Sequence, residues 1–428
     1  MYPSFGSVLL LTAHVAHAFV QGDCIKHDAA LTILASQLSP GAAISCQYFP
    51  LQEHTAGRYW GEQYSKNSAV VVFPITKIDV SHAVRAAASS RFGWDLAFVG
   101  GGHGQTNASS SSGFLIDLSW MNSTKVLHNV KLGDTKVSIA VAYQGGALWK
   151  HVADNTNGTG FTAVGARVGE VGVGGFSTGG GIGFLAGAYG YAIDRLRAVE
   201  VVLMSGEIVP ATKTNRYSDL FWAIQGGGGQ FGIVTTFYQE AVPEPTSSEF
   251  GIWVVAKDSW DRARQNTVEF FETNDDPFSL MYYSLGYYPE YVTTGNLTTV
   301  MNGHGPVSDS ATAWPHAQTA HQTLFSPAWK SASNDGFVVQ QNDALNKITH
   351  DHQASFGTFV ADYPNYISPK ADGYRVWGHN VKKLIKIKAK YDPECRIHQG
   401  RVFASDTCIA HGWANIYPRK GYSVADHD

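Results

Sequence analysis

The chain reads as an α+β protein built from more than one domain, and three observations predict this. Short apolar or β-branched runs mix with amphipathic helical segments, without the strict βαβ alternation of a doubly wound sheet. The 45 glycines among 428 residues exceed the usual ~7% and fall in clusters. Hydrophobic residues make up 44% and aromatics 12%, enough for sizeable cores, and a chain of this length suggests roughly two or three domains. Charged residues are only 15%, against about 25% usually, which excludes a disordered, solvating chain. Lys+Arg 31 against Asp+Glu 35 gives a net charge of −4. No basic field is present to hold nucleic acid or an anionic membrane surface, so neither is expected as a partner.

Val8 to Val15 is a short apolar run, followed by the small-x-small Ala16-His17-Ala18. Residues 1–18 therefore read as a secretory signal peptide, although no Lys or Arg precedes Lys26. No later apolar run reaches the roughly 18 residues that would span a bilayer. The four cysteines, Cys24, Cys46, Cys395 and Cys408, allow two disulfides in an exported chain. Cys24–Cys46 would staple the mature N-terminus, and Cys395–Cys408 could clip the tail. Sequons at Asn107, Asn122, Asn157 and Asn296 are candidate glycosylation sites.

Residues 19–60 read as helical and then loop-like. Ala69 to Phe73 is a buried strand, Ile78 to Arg91 a helix with Val80, Ala83, Val84 and Ala87 on one face, and Leu96 to Val99 a second strand. Phe114 to Leu118 and Val137 to Ala142 are further strands, and Ala147 to Ala153 is a short helix. Arg197 to Met204, Tyr217 to Gln225 and Gly232 to Gln239 follow as strand, helix and strand. Pro243 and Pro245 mark a boundary. Beyond it the texture turns polar, with helices expected over Asp258 to Glu272 and in Asn334 to His352, and a strand over Phe278 to Leu285. A last helix spans Val376 to Lys390, with Trp377, Val381, Leu384 and Ile385 as its packed face and Lys388 at an exposed end. Asp392-Pro393 stops it.

Three glycine clusters punctuate this pattern: Gly100 to Gly104, Gly172 to Gly183, and Gly226 to Gly229. Glycine lets the backbone approach a ligand closely, and successive N–H groups in such turns form nests for anions. A nucleotide diphosphate is the natural guest. A flexible linker is excluded, because ordered segments flank each cluster and Val171, Val173, Phe176 and Ile182 interrupt the second. A Rossmann unit does not fit either, since no clean strand leads into Gly179-Gly180-Gly181-Ile182-Gly183.

Gly101-Gly102-His103 after a strand, Ile116-Asp117-Leu118 beyond it, the long run Gly172 to Gly183 continuing to Tyr189-Gly190 and Asp194, and Asp219 to Thr235 form an ordered set. Together with Tyr363-Pro364-Asn365-Tyr366, Asn380-Val381 and Lys390-Tyr391-Asp392-Pro393, they resemble the vanillyl-alcohol-oxidase (PCMH) type flavoproteins, in the berberine-bridge-enzyme-like subgroup. The resemblance implies a PCMH-type FAD-binding domain of two α/β subdomains over residues 66–243, after an N-terminal segment, 19–65. It also implies a short α+β substrate domain with an antiparallel sheet over 244–360, and a C-terminal segment, 361–428, that returns to the FAD domain.

The resemblance also implies roles. His103 would carry FAD covalently, and an imidazole exposed at a glycine turn is chemically an accessible nucleophile. Gly100, Gly101, Gly102, Gly104 and Gln105 would surround it. Gly172, Gly174, Gly175, Ser177, Gly179, Gly180, Gly181 and Gly183 would line the cofactor, with Ile233, Val234, Asn365 and Tyr366. Val168 stands where other members carry a second, cysteinyl link, so a single attachment is expected. Phe176 replaces a usual histidine. Val171 holds the position that gates oxygen, and its small side chain resembles the oxidases, which implies O2 as acceptor. Asn107, four residues past His103, would then be unmodified.

Flavin oxidation of an alcohol or amine needs a hydride acceptor and a base. Tyr363 is the candidate base, though a phenol with pKa near 10 would need lowering. Tyr283, with Tyr287 at an alternating position, could face a substrate; Tyr282 and Tyr288 share that expected strand. His316, His321, His350 and His352 have no metal-ligand spacing, so no metal is expected. Three readings follow: a secreted FAD oxidase acting on a small alcohol, sugar or secondary-metabolite intermediate, a flavin-binding protein with a cyclisation or binding role, and a carbohydrate-binding module.

Overall fold

The computed structural model describes residues 18–104, 106–132, 135–248, 259–274, 276–279, 295–302, 308–318, 321–328, 332–355, 357, 359–366 and 372–418. The signal segment up to residue 17, Gln105, Tyr282, Tyr283, Tyr287 and Tyr288 lie outside the described residues.

Val70–Phe73 is apolar at every position and all four residues are fully buried, as a strand covered on both faces must be. It is β3 of a five-stranded sheet with β1 (Phe19–Gln21), β2 (Ala43–Cys46), β4 (Leu96–Val99) and β5 (Phe114–Asp117), in the order β1-β2-β3-β5-β4. β2 runs antiparallel to β3, and the other neighbours are parallel. Helix Lys77–Ser89 starts at a Thr76/Asp79 capping box and packs Val80, Ala83 and Val84 onto this sheet together with Leu31 and Leu34. β1 and β2 correct the helix-then-loop reading of residues 19–60. Strands of three and four residues are too short to show a period of two. The Cys24–Cys46 disulfide ties this edge together.

The second sheet is antiparallel throughout. It holds β6 (Thr124–Leu132), β7 (Thr135–Gln144), β9 (Leu196–Val202), β10 (Ile208–Thr212) and β11 (Ile233–Glu240), in the order β10-β9-β11-β7-β6. The two-residue β8 (Phe161–Thr162) pairs instead with β12 (Val242–Pro243). Helix Ser218–Gly227 and the C-terminal helix share this sheet's core with Tyr143, Trp149 and Phe237. Beyond Pro243 stand helices Trp260–Thr273 and Asp335–Ser355 and an antiparallel pair, Gly295–Asn302 with His321–Ala328. Of the strand expected over Phe278 to Leu285, Phe278 is in a turn and most of the rest lies outside the described residues.

Among the described residues no three His, Cys, Asp or Glu side chains gather as a metal would need, and no helix is long and apolar enough to cross a membrane. His316 is buried and bonds Asp194 at 2.9 Å, and His350 faces Asp362 at 3.1 Å.

The chain then returns to the glycine-rich half. The helix expected from Val376 to Lys390 breaks at Gly378, whose φ of 50° ends one segment, Gly373–Trp377, before Val381–Tyr391 begins. Lys388 is corrected more sharply: it is fully buried, not exposed. Its Nζ donates to Asp392 Oδ2 at 2.7 Å, to Gln230 O at 3.0 Å and to Ile397 O at 2.7 Å. The same carboxylate accepts from the Arg396 and Ile397 amides, both at 2.8 Å. Burial pushes the Lys388 pKa down, and Asp392 opposes that shift. Only a partnered ammonium survives in such a site. Cys395–Cys408 closes the segment that follows. Lys388→Ala leaves Asp392 buried without its counter-charge. It should destabilise the protein by about 3–5 kcal/mol, read as a lower denaturant midpoint.

Candidate active site

β4 runs straight into Gly100–Gly104, and the second glycine cluster opens the short helix Val173–Thr178. The two loops interlock. A Cβ on Gly101 would stand 2.6 Å from Gly172 N, and one on Gly172 would stand 2.5 Å from Gly101 N. No other residue type permits that approach. Gly100 packs against Gly145 O in the same way. At Gly102, φ is +71° and the backbone turns so that His103 leaves the loop.

His103 is half-buried. Its Nε2 is shielded from solvent and has no hydrogen-bond partner among the described residues. Desolvation lowers its pKa, against weaker opposing effects of a hydrogen bond to its own backbone and of Glu170, a balance that favours the neutral ring. A neutral imidazole with an unsatisfied nitrogen is a nucleophile in waiting. One face of the ring stacks on Trp60, at 4.7 Å between centroids and 23° between planes.

The rest of the second loop divides into two kinds of position. Gly179, Gly180, Gly181 and Gly183 meet Asn365, Tyr363 and Trp314, Ala192, and Gly165 O, all at distances that a Cβ would violate. These glycines serve packing within the protein. Gly175, by contrast, has nothing within 4 Å of a Cβ position among the described residues, and neither does Gly104. Gly174 is intermediate, 3.2 Å from Gly145 O. The loops thus lock to each other on one side and leave bare backbone on the other, as a nucleotide phosphate requires.

Several assigned side chains face elsewhere. Ser177 is fully buried, with its Oγ 3.1 Å from Tyr143 Oη in the core. Ile233 and Val234 are core residues paired with Val202 and Val201. All three would reach a cofactor through backbone alone, because strand and helix periodicity turned their side chains inward. Val168 is exposed, and Val171 packs beside the core around Trp149.

The C-terminal segment reaches the second loop as expected. Tyr363 Oη accepts from the Gly181 and Ile182 amides at 3.1 and 3.2 Å and from Asn365 Nδ2 at 3.0 Å. Burial, with Tyr366 adding to it, raises its pKa despite these three donors. That is the wrong direction for a base at neutral pH. The contacts make Tyr363 a positioning residue, which corrects the base reading taken from its sequence place alone. Tyr366 accepts from Arg167 at 2.8 Å. Sequence reasoning missed Trp60, Arg58 and Trp314. Trp314 is fully buried against Tyr191, His316 and Tyr363, yet it lies in a stretch with no periodicity. The orphaned His103 nitrogen and the side-chain-free loop backbone fit FAD, which His103 and the two loops would hold.

Comparison with known proteins agrees. The family described as FAD binding domain matches residues 68–212, and the one described as berberine and berberine like matches 362–395. The chain therefore carries an FAD-binding domain and, after it, a segment similar to the berberine-like family. An FAD-linked oxidoreductase, pgmH of Aspergillus terreus, is 42% identical over 137 residues, which is 32% of this chain and 26% of that protein. The chain spans between about a quarter and a half of the length of these curated relatives. Its fold matches the glycopeptide hexose oxidase DBV29, crystallised with teicoplanin, at a TM-score of 0.71 and 18% identity, over 85% of this chain and 99% of that one. It also matches the glucooligosaccharide oxidase of Acremonium strictum, described with a 6-S-cysteinyl, 8α-N1-histidyl FAD, at 0.59 and 18%, over 82% and 94%.

Two outcomes follow for the glycine loops and the returning segment. Gly172→Ala should cost about 1–3 kcal/mol through forced overpacking and lower the melting temperature, whereas Gly175→Ala, in a helix and facing open space, should not lower it. Tyr363→Phe leaves two buried backbone amides and Asn365 without their acceptor. It should destabilise by about 1–3 kcal/mol in the same measurement.

Proposed function

We propose that this chain is a secreted oxidase of alcohols, sugars or secondary-metabolite intermediates, with FAD attached covalently and singly through His103. The observation that carries the reading is the half-buried imidazole of His103, whose Nε2 is unpartnered among the described residues, at the edge of two interlocked glycine loops. Bound FAD would accept a hydride from the substrate carbon and pass the electrons to O2. The protein's part is to hold and orient. The Gly101–Gly172 contact fixes the loops, the imidazole offers a nitrogen for attachment, and Tyr363 with Asn365 ties the returning segment to the second loop.

Support for the oxidase assignment comes from the oxidases that share the fold. Val168, at the place of the second link, cannot form a thioether, which supports a single attachment. Val171 leaves a small side chain at the oxygen-gating position. The substrate pocket is assigned to residues 244–360, with Tyr283 among its candidates. The two disulfides and the apolar N-terminal run support export. Purified protein should be yellow, its flavin absorbance should stay with the polypeptide after acid precipitation, and turnover should release H2O2 with some member of a panel of alcohols and oligosaccharides. Flavin lost entirely to the supernatant would contradict the covalent assignment, and a bound flavin that no substrate of the panel reduces anaerobically would contradict the oxidase assignment.

A further inference from the structure

His103 does not hold its place alone. Thr55 to Trp60 lies outside the residues matched by the FAD-binding family, yet Arg58, Tyr59 and Trp60 lie against the His103 turn. Trp60 donates its backbone N–H to Gly102 O at 3.1 Å while its indole stacks on the imidazole. Arg58 Nη1 donates to Gly100 O at 3.0 Å, and Nη2 pairs with the fully buried carboxylate of Asp117 at the end of β5. That carboxylate also accepts from Thr55 Oγ1 and, at 2.9 Å, from the Ser119 amide. Tyr59 Oη donates to Ser109 O on the far side of the turn. A Cβ on Gly102 would stand 3.2 Å from Arg58 O, so the segment lies directly on the turn's backbone.

Trp60 itself is 66% exposed. An indole that open contributes little to a core, and its one described ring partner is His103. We propose that residues 55–60 are the positioning device for flavin attachment: Arg58, Asp117 and Thr55 fix the turn, and Trp60 fixes the plane of the His103 ring. The inference rests on the reading of His103 as the attachment residue. In attachment, a ring nitrogen of His103 bonds to the 8α carbon of the flavin and loses its proton. The 8α methyl loses one hydrogen, and the two electrons leave the flavin reduced, to be reoxidised by O2 with release of H2O2. Only a ring held at one angle presents its nitrogen to that carbon, and the stack supplies the angle.

The test is the covalent fraction of FAD in purified full-length protein, as flavin in the acid pellet against total bound flavin, with the polypeptide mass as a second readout. Trp60→Ala should incorporate covalent flavin about three- to tenfold more slowly, the effect of losing one stacked ring pair, while still binding FAD that acid releases. Trp60→Phe keeps a ring face and should restore incorporation. Trp60→Leu keeps apolar bulk without a ring and decides the matter if the alanine variant does not fold. Wild-type incorporation in Trp60→Ala or Trp60→Leu overturns the positioning role alone, provided His103→Ala abolishes attachment. Covalent flavin persisting in His103→Ala, or absent from the wild type, overturns the attachment reading and this inference with it.

Discussion

Gly101 and Gly172 meet backbone to backbone, and the arrangement of the site depends on that contact. One glycine lies in the loop that follows a strand of the mixed sheet and the other opens a helix on the antiparallel sheet, so their contact sets the two halves of the nucleotide-binding region against each other. A single methyl group at either position would force the loops apart. His103 sits two residues beyond Gly101, and its direction follows from the turn at Gly102. The chemistry asked of one imidazole therefore rests on the absence of side chains around it.

The returning C-terminal segment is the second constraint. It is pinned to the glycine-rich half by polar groups rather than by apolar packing alone. Tyr363 and Asn365 meet Gly179 to Ile182. Trp377 Nε1 donates to Gly226 O at 2.9 Å, and the Asn380 amide donates to Thr312 and Ala313 carbonyls. Lys388 reaches Gln230 O. The contacts of Tyr363, Trp377 and Lys388 satisfy backbone groups in or beside the glycine clusters, where glycine brings no side chain to do so. The loops gain freedom to approach a ligand, and a remote segment supplies their hydrogen bonds.

Much of this was legible in the sequence. A continuous β-branched run marked β3, a short apolar run marked β4, and helical spacing marked Lys77–Ser89. The glycine clusters, with His103 between strand and loop, marked the site. What failed did so for physical reasons. β1 and β2 are too short to carry a pattern. Lys388 broke the rule that lysines end helices in solvent, because Asp392 one turn later is its partner and only the fold reveals that both are buried. Ser177, Ile233 and Val234 were grouped with the cofactor by motif, while periodicity directs their side chains to the core. Trp60 and Arg58 lie in a segment with no period at all, and their importance is a matter of which turn they land on.

Mapping the flavin to a residue tests the central claim most directly. Trypsin should release the peptide Phe92–Lys125, whose single histidine is His103. Tandem mass spectrometry of that peptide should show a flavin mass increment located on His103. A flavin-bearing peptide from elsewhere in the chain, or Phe92–Lys125 recovered wholly without flavin from yellow protein, would contradict the account.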